Sequence, residues 1–271
     1  MPPETLINAV NLALPGLPQD WQPLGGGRTN RVWRLGEVVV KLYDPKAATA
    51  LFPNNPQDEQ RALMHYGPLD LAPNLLASGQ NWLAYSYLTG RAWEAGTAAV
   101  ARLLAAVHGS PPPAGLRVLS SGWDALQAQT QQMLHIAGLS HPLPAYRDVP
   151  PILPQALHGD AVAGNMIETP DGLRLIDWQC PALGDPAEDL ATFLSPAMQT
   201  IYRGTPLSAA EVATFLNSYP DRVMVDRYLL LRPLFHLRMA AHCAQRAQRG
   251  DTGYANGLSQ ELAALAPLVS P

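Results

Sequence analysis

From His158 to Trp178 the chain reads HGDAVAGNMIETPDGLRLIDW. Pro170, Asp171 and Gly172 form a turn triplet between two short strand-like runs, Asn165 to Thr169 and Leu173 to Asp177. The chain must therefore fold back on itself as a hairpin, which brings Asn165 and Asp177 to one open end. Just upstream, His158, Asp160 and Asn165 fall in the order H-x-D-x-x-x-x-N. A stretch so dense in oxygen donors, ending on an apolar strand, restricts both the fold and the chemistry.

Moving a phosphoryl group from a nucleotide takes one carboxylate to orient the attacking hydroxyl and accept its proton, and further oxygen ligands to hold magnesium on the phosphates. Asp160 suits the first task, Asn165 and Asp177 the second. Histidines and aspartates in loops more often cap, turn or solvate. The catalytic reading thus requires a nucleotide site in the N-terminal half.

That half begins with a short amphipathic segment, Glu4 to Leu14, ended by Pro15 and Gly16. Strand-like runs follow at Trp21 to Leu24, Arg31 to Leu35 and Val38 to Tyr43, separated by Gly25-Gly26-Gly27 and by Gly36-Glu37, which predicts an antiparallel meander. Glycines between strands admit a close backbone approach to a triphosphate, although such a run is more often a flexible hairpin. Lys41 shares a strand face with Val39 and Tyr43, placing its ammonium at the edge of an apolar surface. It either pairs with nucleotide phosphates or snorkels into water. Asp58 to Tyr66 is helical, with Glu59 in the first turn, where it either fixes that lysine or complements the helix dipole. Strands at Asn74 to Ser78 and Trp82 to Leu88 complete a five-stranded sheet, and Ser86 to Leu88 leads into the second half.

Beyond Gly90 the texture is helical: Ala95 to His108, Ser121 to Ala137, a helix beginning at Pro186, Ala209 to Ser218, Asp221 to Arg249 with a break at Pro233, and Gly257 to Leu268. The 271 residues suffice for two lobes, divided here at 1–88 and 89–271. A formal net charge of -4 without an extended basic patch argues against a nucleic-acid partner. Two cysteines, Cys180 and Cys243, fit a reducing cytoplasm, and neither a secretory signal nor a membrane span is apparent. Of Trp123, Tyr146, Trp178, Tyr228 and Phe235 most are expected to pack in the core, as aromatics at helical spacing usually do, with an aromatic wall of a few of them for an amino alcohol or quaternary amine as the competing use.

The motifs GGRTNRVWRL, VVVKLY, YSYLTG, LHGDAVAGN, LIDW and GDPAEDLA together resemble the aminoglycoside phosphotransferase and choline kinase family. The resemblance implies an α+β, protein-kinase-like two-lobe fold: a small antiparallel five-stranded N-lobe sheet with a helix, and a larger, mainly helical C-lobe. It implies ATP and Mg2+ as cofactors and a small-molecule hydroxyl as acceptor. Asp160 would be the catalytic base and Asn165 and Asp177 the metal ligands. Gly26, Gly27, Asn30, Lys41, Glu59, Ser86 and Leu88 would bind the nucleotide, the last two through their backbones. His158, Asp185 and Asp189 would support the catalytic loop, and Trp178, Trp123 and Tyr228 remain as a substrate wall. Choline and thiamine kinases carry an acidic residue shortly after the metal aspartate, whereas this chain has Trp178-Gln179-Cys180. The expected acceptor is a choline-, ethanolamine- or thiamine-like metabolite, with an aminoglycoside second and a catalytically silent nucleotide-binding module as the competitor of another class.

Overall fold

The structure is a computed structural model that describes residues 1–25 and 29–269. The candidates Gly26 and Gly27 lie outside those residues. In chain order the elements are α1 (Glu4–Ala13), β1 (Gln22–Pro23), β2 (Arg31–Leu35), β3 (Val38–Leu42), α2 (Pro56–Tyr66), β4 (Leu75–Ser78), β5 (Trp82–Ser86), β6 (Arg91–Ala92), α3 (Thr97–His108), α4 (Trp123–Ala137) and β7 (Gln155–Leu157). There follow β8 (Met166–Thr169), β9 (Gly172–Leu175), β10 (Ala182–Gly184), α5 (Ala187–Leu194), α6 (Pro196–Arg203), α7 (Ala209–Ser218), α8 (Arg222–Gln248) and α9 (Tyr254–Val269). Contacts group them into two compact units. One comprises Met1–Trp93, Pro113–Gly115 and Asn165–Pro181; the other comprises Glu94–Pro112, Leu116–Gly164 and the chain from Ala182 on. The fold is α+β.

The first unit is built on an antiparallel sheet of order β1-β2-β3-β5-β4. Alternation sorts its side chains. Trp33, Leu35, Val38, Val40, Trp82 and Ala84 form one buried cluster with Leu6 and Val10 of α1. The opposite face carries Val39 and Lys41 of β3 and Tyr85 of β5, with Val39 directly across from Tyr85. β3 is therefore buried on both faces, and Lys41 is not at an edge as alternation alone suggested: it is 2% exposed. Helix α2 starts where Asn55 accepts bonds from the Gln57 and Asp58 amides and Pro56 occupies the first turn, so its amino end and Glu59 are fixed locally. The hairpin β8–β9 forms as the turn triplet requires, and β6 adds a third strand to it through Arg91↔Glu168.

The second unit is helical apart from the short pair β7–β10 and an isolated parallel bridge between Val118 and Leu183. Helix α8 continues through Pro233, against the expected break. A proline inside a helix costs roughly 3 kcal/mol. Leu231, Leu234, Phe235 and Leu237 around it are all buried, against α4, α5 and α9 among others. At about 1.5–3 kcal/mol for each such side chain, packing outweighs the missing bond. Helix α6 was not anticipated, although Ser195 caps it and Pro196 opens it, a pair readable in the sequence. No helix among the described residues is long and apolar enough to cross a membrane.

Candidate active site

Lys41 is the centre of the first unit's polar cluster. Its ammonium donates to Glu59 Oε2 at 2.6 Å and to Asp177 Oδ1, and the Tyr43 hydroxyl donates to the same Glu59 oxygen. The β3 strand supplies Lys41 and Tyr43's side of the sheet, α2 supplies Glu59, and the chain just after β9 supplies Asp177. Burial disfavours the ammonium, but the carboxylates of Asp177 and Glu59 overcome it and hold Lys41 above the ordinary lysine value. Burial pushes the Glu59 carboxyl up, against the pull of Lys41. One cation between two carboxylates leaves a negative charge in excess, and an ammonium has three donors, of which these bonds take two. Tyr43 was missed as a partner of Glu59, although strand alternation already placed it beside Lys41.

Asn165 and Asp177 sit at the open end of the hairpin: Met166 pairs with Leu175, and the Ile176 amide donates to the Asn165 carbonyl at 2.9 Å. Asp177 adopts φ 61°, a left-handed conformation shared among described non-glycine residues only with Asp70. For a residue with a Cβ that costs on the order of 1 kcal/mol, and here it turns the carboxylate toward Lys41. An amide oxygen and a carboxylate are hard donors, which fits magnesium, an ion that draws much of its shell from phosphate and water. No cluster of three or more His, Cys, Asp or Glu among the described residues offers an all-protein metal cage.

Asn30 is committed elsewhere. Its Nδ2 donates to Asn54 Oδ1 and Gln179 Oε1, both at 2.8 Å, and its Oδ1 accepts from the Asp44 amide at 3.0 Å and from Asn54 Nδ2 at 2.8 Å. These four bonds exhaust what a primary amide can make, so the side chain holds protein segments together and does not reach for a nucleotide. The Ser86 amide is likewise taken, donating to the Asn74 carbonyl at 2.9 Å, which removes it as a donor to a base. Leu88, half-buried, makes no backbone hydrogen bond among the described residues.

In the second unit, the loop carrying Asp160 is held by a carboxylate from α5. Asp189 is fully buried and accepts from the His158 amide and the Gly159 amide at 2.8 Å each, and from His108 Nε2 at 3.1 Å. A carboxylate only accepts, so Nε2 carries a proton, and in the neutral ring Nδ1 accepts from the Tyr219 hydroxyl at 2.8 Å. Burial would raise the Asp189 pKa, but the hydrogen bonds from His108 and from the His158 amide bring it below the ordinary aspartate value. Gly159 takes φ 78°, which explains a glycine between His158 and Asp160. The Asp160 amide donates to His158 Nδ1 at 3.3 Å, so the histidine contacts the loop that it belongs to. Asp185 accepts from the Ala187 amide at the start of α5 at 3.1 Å and from Arg227 Nε at 2.7 Å. Neither Arg227 nor His108 was foreseen, since their partners lie 42 and 81 positions away.

None of the three rings expected to form a substrate wall is exposed. Trp178, Trp123 and Tyr228 are 0, 1 and 3% exposed. Trp178 stacks on Tyr66 at 4.4 Å and donates to the Leu175 carbonyl, Trp123 bonds Gln127, and Tyr228 stacks on Phe235 at 6.3 Å. Trp178 and Trp123 fill cores, whereas Tyr228, though buried, lines a small cavity with Phe235, Arg232 and Glu261. Tyr146 alone of the five is exposed.

Comparison with known proteins shows the family and the fold. The profile of the Phosphotransferase enzyme family matches residues 20–226. A thiamine kinase of Shigella boydii is 29% identical over 161 residues, 57% of this chain and 56% of that protein, so the match spans little more than half the relative's length. A choline/ethanolamine kinase family protein from Mesorhizobium loti superposes with a TM-score of 0.70 at 16% identity, covering 98% of this chain and 95% of the other. The streptomycin-ATP-APH(2")-IIa ternary complex superposes with a TM-score of 0.62 at 14% identity, covering 96% of both chains.

Proposed function

Because the chain belongs to the Phosphotransferase enzyme family, we propose that it is a small-molecule kinase that moves the γ-phosphoryl group of ATP to a hydroxyl. The observation that carries this reading is Lys41 bonded to both Glu59 and Asp177. Three groups far apart in sequence meet there in the arrangement that phosphoryl transfer uses for nucleotide phosphates. Use of ATP rests on that cluster and on a similar fold that binds ATP in its ternary complex.

Lys41 spends its remaining donor on a phosphate oxygen, and Glu59 keeps its ammonium in place. Asp160 orients the acceptor hydroxyl and takes its proton, with Asp189 and His108 holding the loop that presents it. Asn165 and Asp177 would hold Mg2+, which when bound offsets the charge of the phosphates. Residues 1–88 would take the nucleotide and residues 89–271 the acceptor, with the hairpin that follows Gly164 lending the metal ligands. Positioning and electrostatics supply most of the acceleration. The acceptor is a choline-, ethanolamine- or thiamine-like metabolite, a class supported by the thiamine kinase and choline/ethanolamine kinase relatives; an aminoglycoside is the second reading, supported by the streptomycin complex. A cytoplasmic setting accords with two buried cysteines that form no disulfide.

The test is an ADP-release screen with ATP and Mg2+ over amino alcohols, thiamine, sugars and aminoglycosides, run beside Asp160→Asn. Turnover by the variant is expected to fall on the order of a thousandfold while ATP still raises its melting temperature. Full turnover by the variant sinks the role of Asp160. ATP-induced stabilisation without ADP release on any acceptor moves the chain to the silent-module reading.

A further inference from the structure

The departure at Trp178-Gln179-Cys180 left Gln179 without a role, and the structure gives it unusual connections. Gln179 lies two positions after Asp177 and is 3% exposed. Its Oε1 accepts from Asn30 Nδ2 at 2.8 Å and from the Thr29 hydroxyl at 3.3 Å. Its backbone carbonyl accepts from the Asn55 amide at 3.2 Å. Asn55 is the cap of α2, the helix that carries Glu59. Its neighbour Cys180 donates through Sγ to the Pro53 carbonyl at 2.7 Å. Through Asn30, the same amide reaches Asn54 and the Asp44 amide at the end of β3, the strand of Lys41.

One residue thus ties together three segments that feed the Lys41 cluster: the entry to β2 at Thr29 and Asn30, the cap of α2, and the turn of Asp177. Every bond that Gln179 receives on its side chain goes to one oxygen, so the position requires an acceptor and not a charge. An amide provides the acceptor while adding no third carboxylate to a cluster that already holds one in excess. We propose that Gln179 is a positioning residue that locks the β2 entry to the Asp177 turn and the α2 cap, and thereby sets the phosphate-binding geometry of the nucleotide site.

The nucleotide part of this inference rests on the kinase reading, so the test has two separable readouts. The first is amide hydrogen exchange at Asp44, whose N–H is held by Asn30 Oδ1, with Val40 in the centre of β3 as the internal control. Gln179→Met, similar in volume but without an acceptor, is expected to speed exchange at Asp44 about tenfold and leave Val40 unchanged. Gln179→Glu, which retains an acceptor oxygen but adds a charge, is expected to speed exchange at Asp44 less than Gln179→Met does. The second readout is the KM for ATP, expected to rise about tenfold in Gln179→Met with kcat little changed. Asn30→Asp keeps the oxygen that holds the Asp44 amide but loses the donor to Gln179, so it breaks the same bond from the other side; the double variant is expected to be no worse than the worse single one, and this variant serves if Gln179→Met does not fold. Unchanged exchange at Asp44 in Gln179→Met, equal acceleration by Gln179→Glu, or additive effects in the double variant each overturn the lock. A wild-type protein with no ATP turnover defeats the kinase reading alone, and the exchange experiment still decides the lock.

Discussion

The Lys41 cluster and the Asp160 loop are both rich in buried charge, yet they are held in opposite ways. In the first, charged side chains hold one another: Lys41 bridges Glu59 and Asp177, and Tyr43 braces Glu59. In the second, a carboxylate holds backbone: Asp189 accepts two consecutive loop amides and receives a histidine from behind. The first arrangement can exchange partners, because an ammonium released by a carboxylate can take a phosphate oxygen at little change in charge pairing. The second cannot exchange without losing the loop. The cluster is therefore suited to receiving a ligand, and the loop to holding one conformation.

This contrast predicts different responses to removing each centre. Lys41→Met leaves Glu59 and Asp177 facing each other without a cation. Breaking a buried pair on one side costs about 3–5 kcal/mol, less whatever solvent returns to the partly exposed Asp177. Turnover should fall a hundredfold or more, with weaker ATP stabilisation. Denaturant melts and steady-state kinetics check both. A loss no larger than that of Asp189→Asn would erase the distinction between the regions.

Asp189→Asn comes next. An amide has one acceptor oxygen where the carboxylate has two, so at least one of the His158, Gly159 and His108 donors is left buried without a partner. That costs about 1–3 kcal/mol. Because the damage is confined to the loop, kcat should fall roughly tenfold while ATP affinity stays near wild type, a split that kinetics and nucleotide titration resolve. A parallel loss of ATP affinity would mean that the loop also shapes the nucleotide site.

The two regions also differ in how far the sequence revealed them. Lys41, Glu59 and the hairpin were legible because each rests on local rules: a strand run, a helix first turn, a proline-aspartate-glycine turn. Strand alternation even placed Tyr43 beside Lys41, although its hydroxyl's use was overlooked. The supports of the loop were not legible in the same way. Asp189 was expected by resemblance, but His108, Tyr219 and Arg227 come from distant helices, and no local pattern marks a side chain that will be brought to another by packing. Asn30 shows the reverse error: its motif suggested a ligand contact, while four bonds to protein show a scaffold. The aromatic wall failed for a related reason, since sequence gives a ring's presence but not which way its face is turned.

Tyr43→Phe sharpens the first region by removing one hydroxyl. Glu59 Oε2 keeps Lys41 but loses a donor, at a cost of about 1 kcal/mol, with a severalfold rise in the KM for ATP and little change in kcat. An unchanged KM would show that Lys41 alone orients Glu59.

The smallest effects lie in the pH dependence of stability, and they run in opposite directions. Lys41 is raised above its ordinary value of 10.5, so its contribution is complete below that pH and is lost as pH rises through the folded-state value. Asp189 is lowered below 3.8, so its contribution is complete above that pH and is lost as pH falls through the folded-state value. His242, buried and held at about 3, instead withdraws stability as pH falls from 6.5, because the unfolded chain takes up its proton first. The acid limb must therefore be read as a difference between proteins that both retain His242. Melting temperatures across pH should show Lys41→Met flattening the alkaline limb and, because Glu59 loses the cation that opposes its burial, also changing the profile at lower pH, whereas Asp189→Asn flattens only the limb below pH 4. If Asp189→Asn also changed the alkaline limb, the cluster and the loop would be sharing protons, and the contrast between charges that hold each other and a charge that holds backbone would have to be given up.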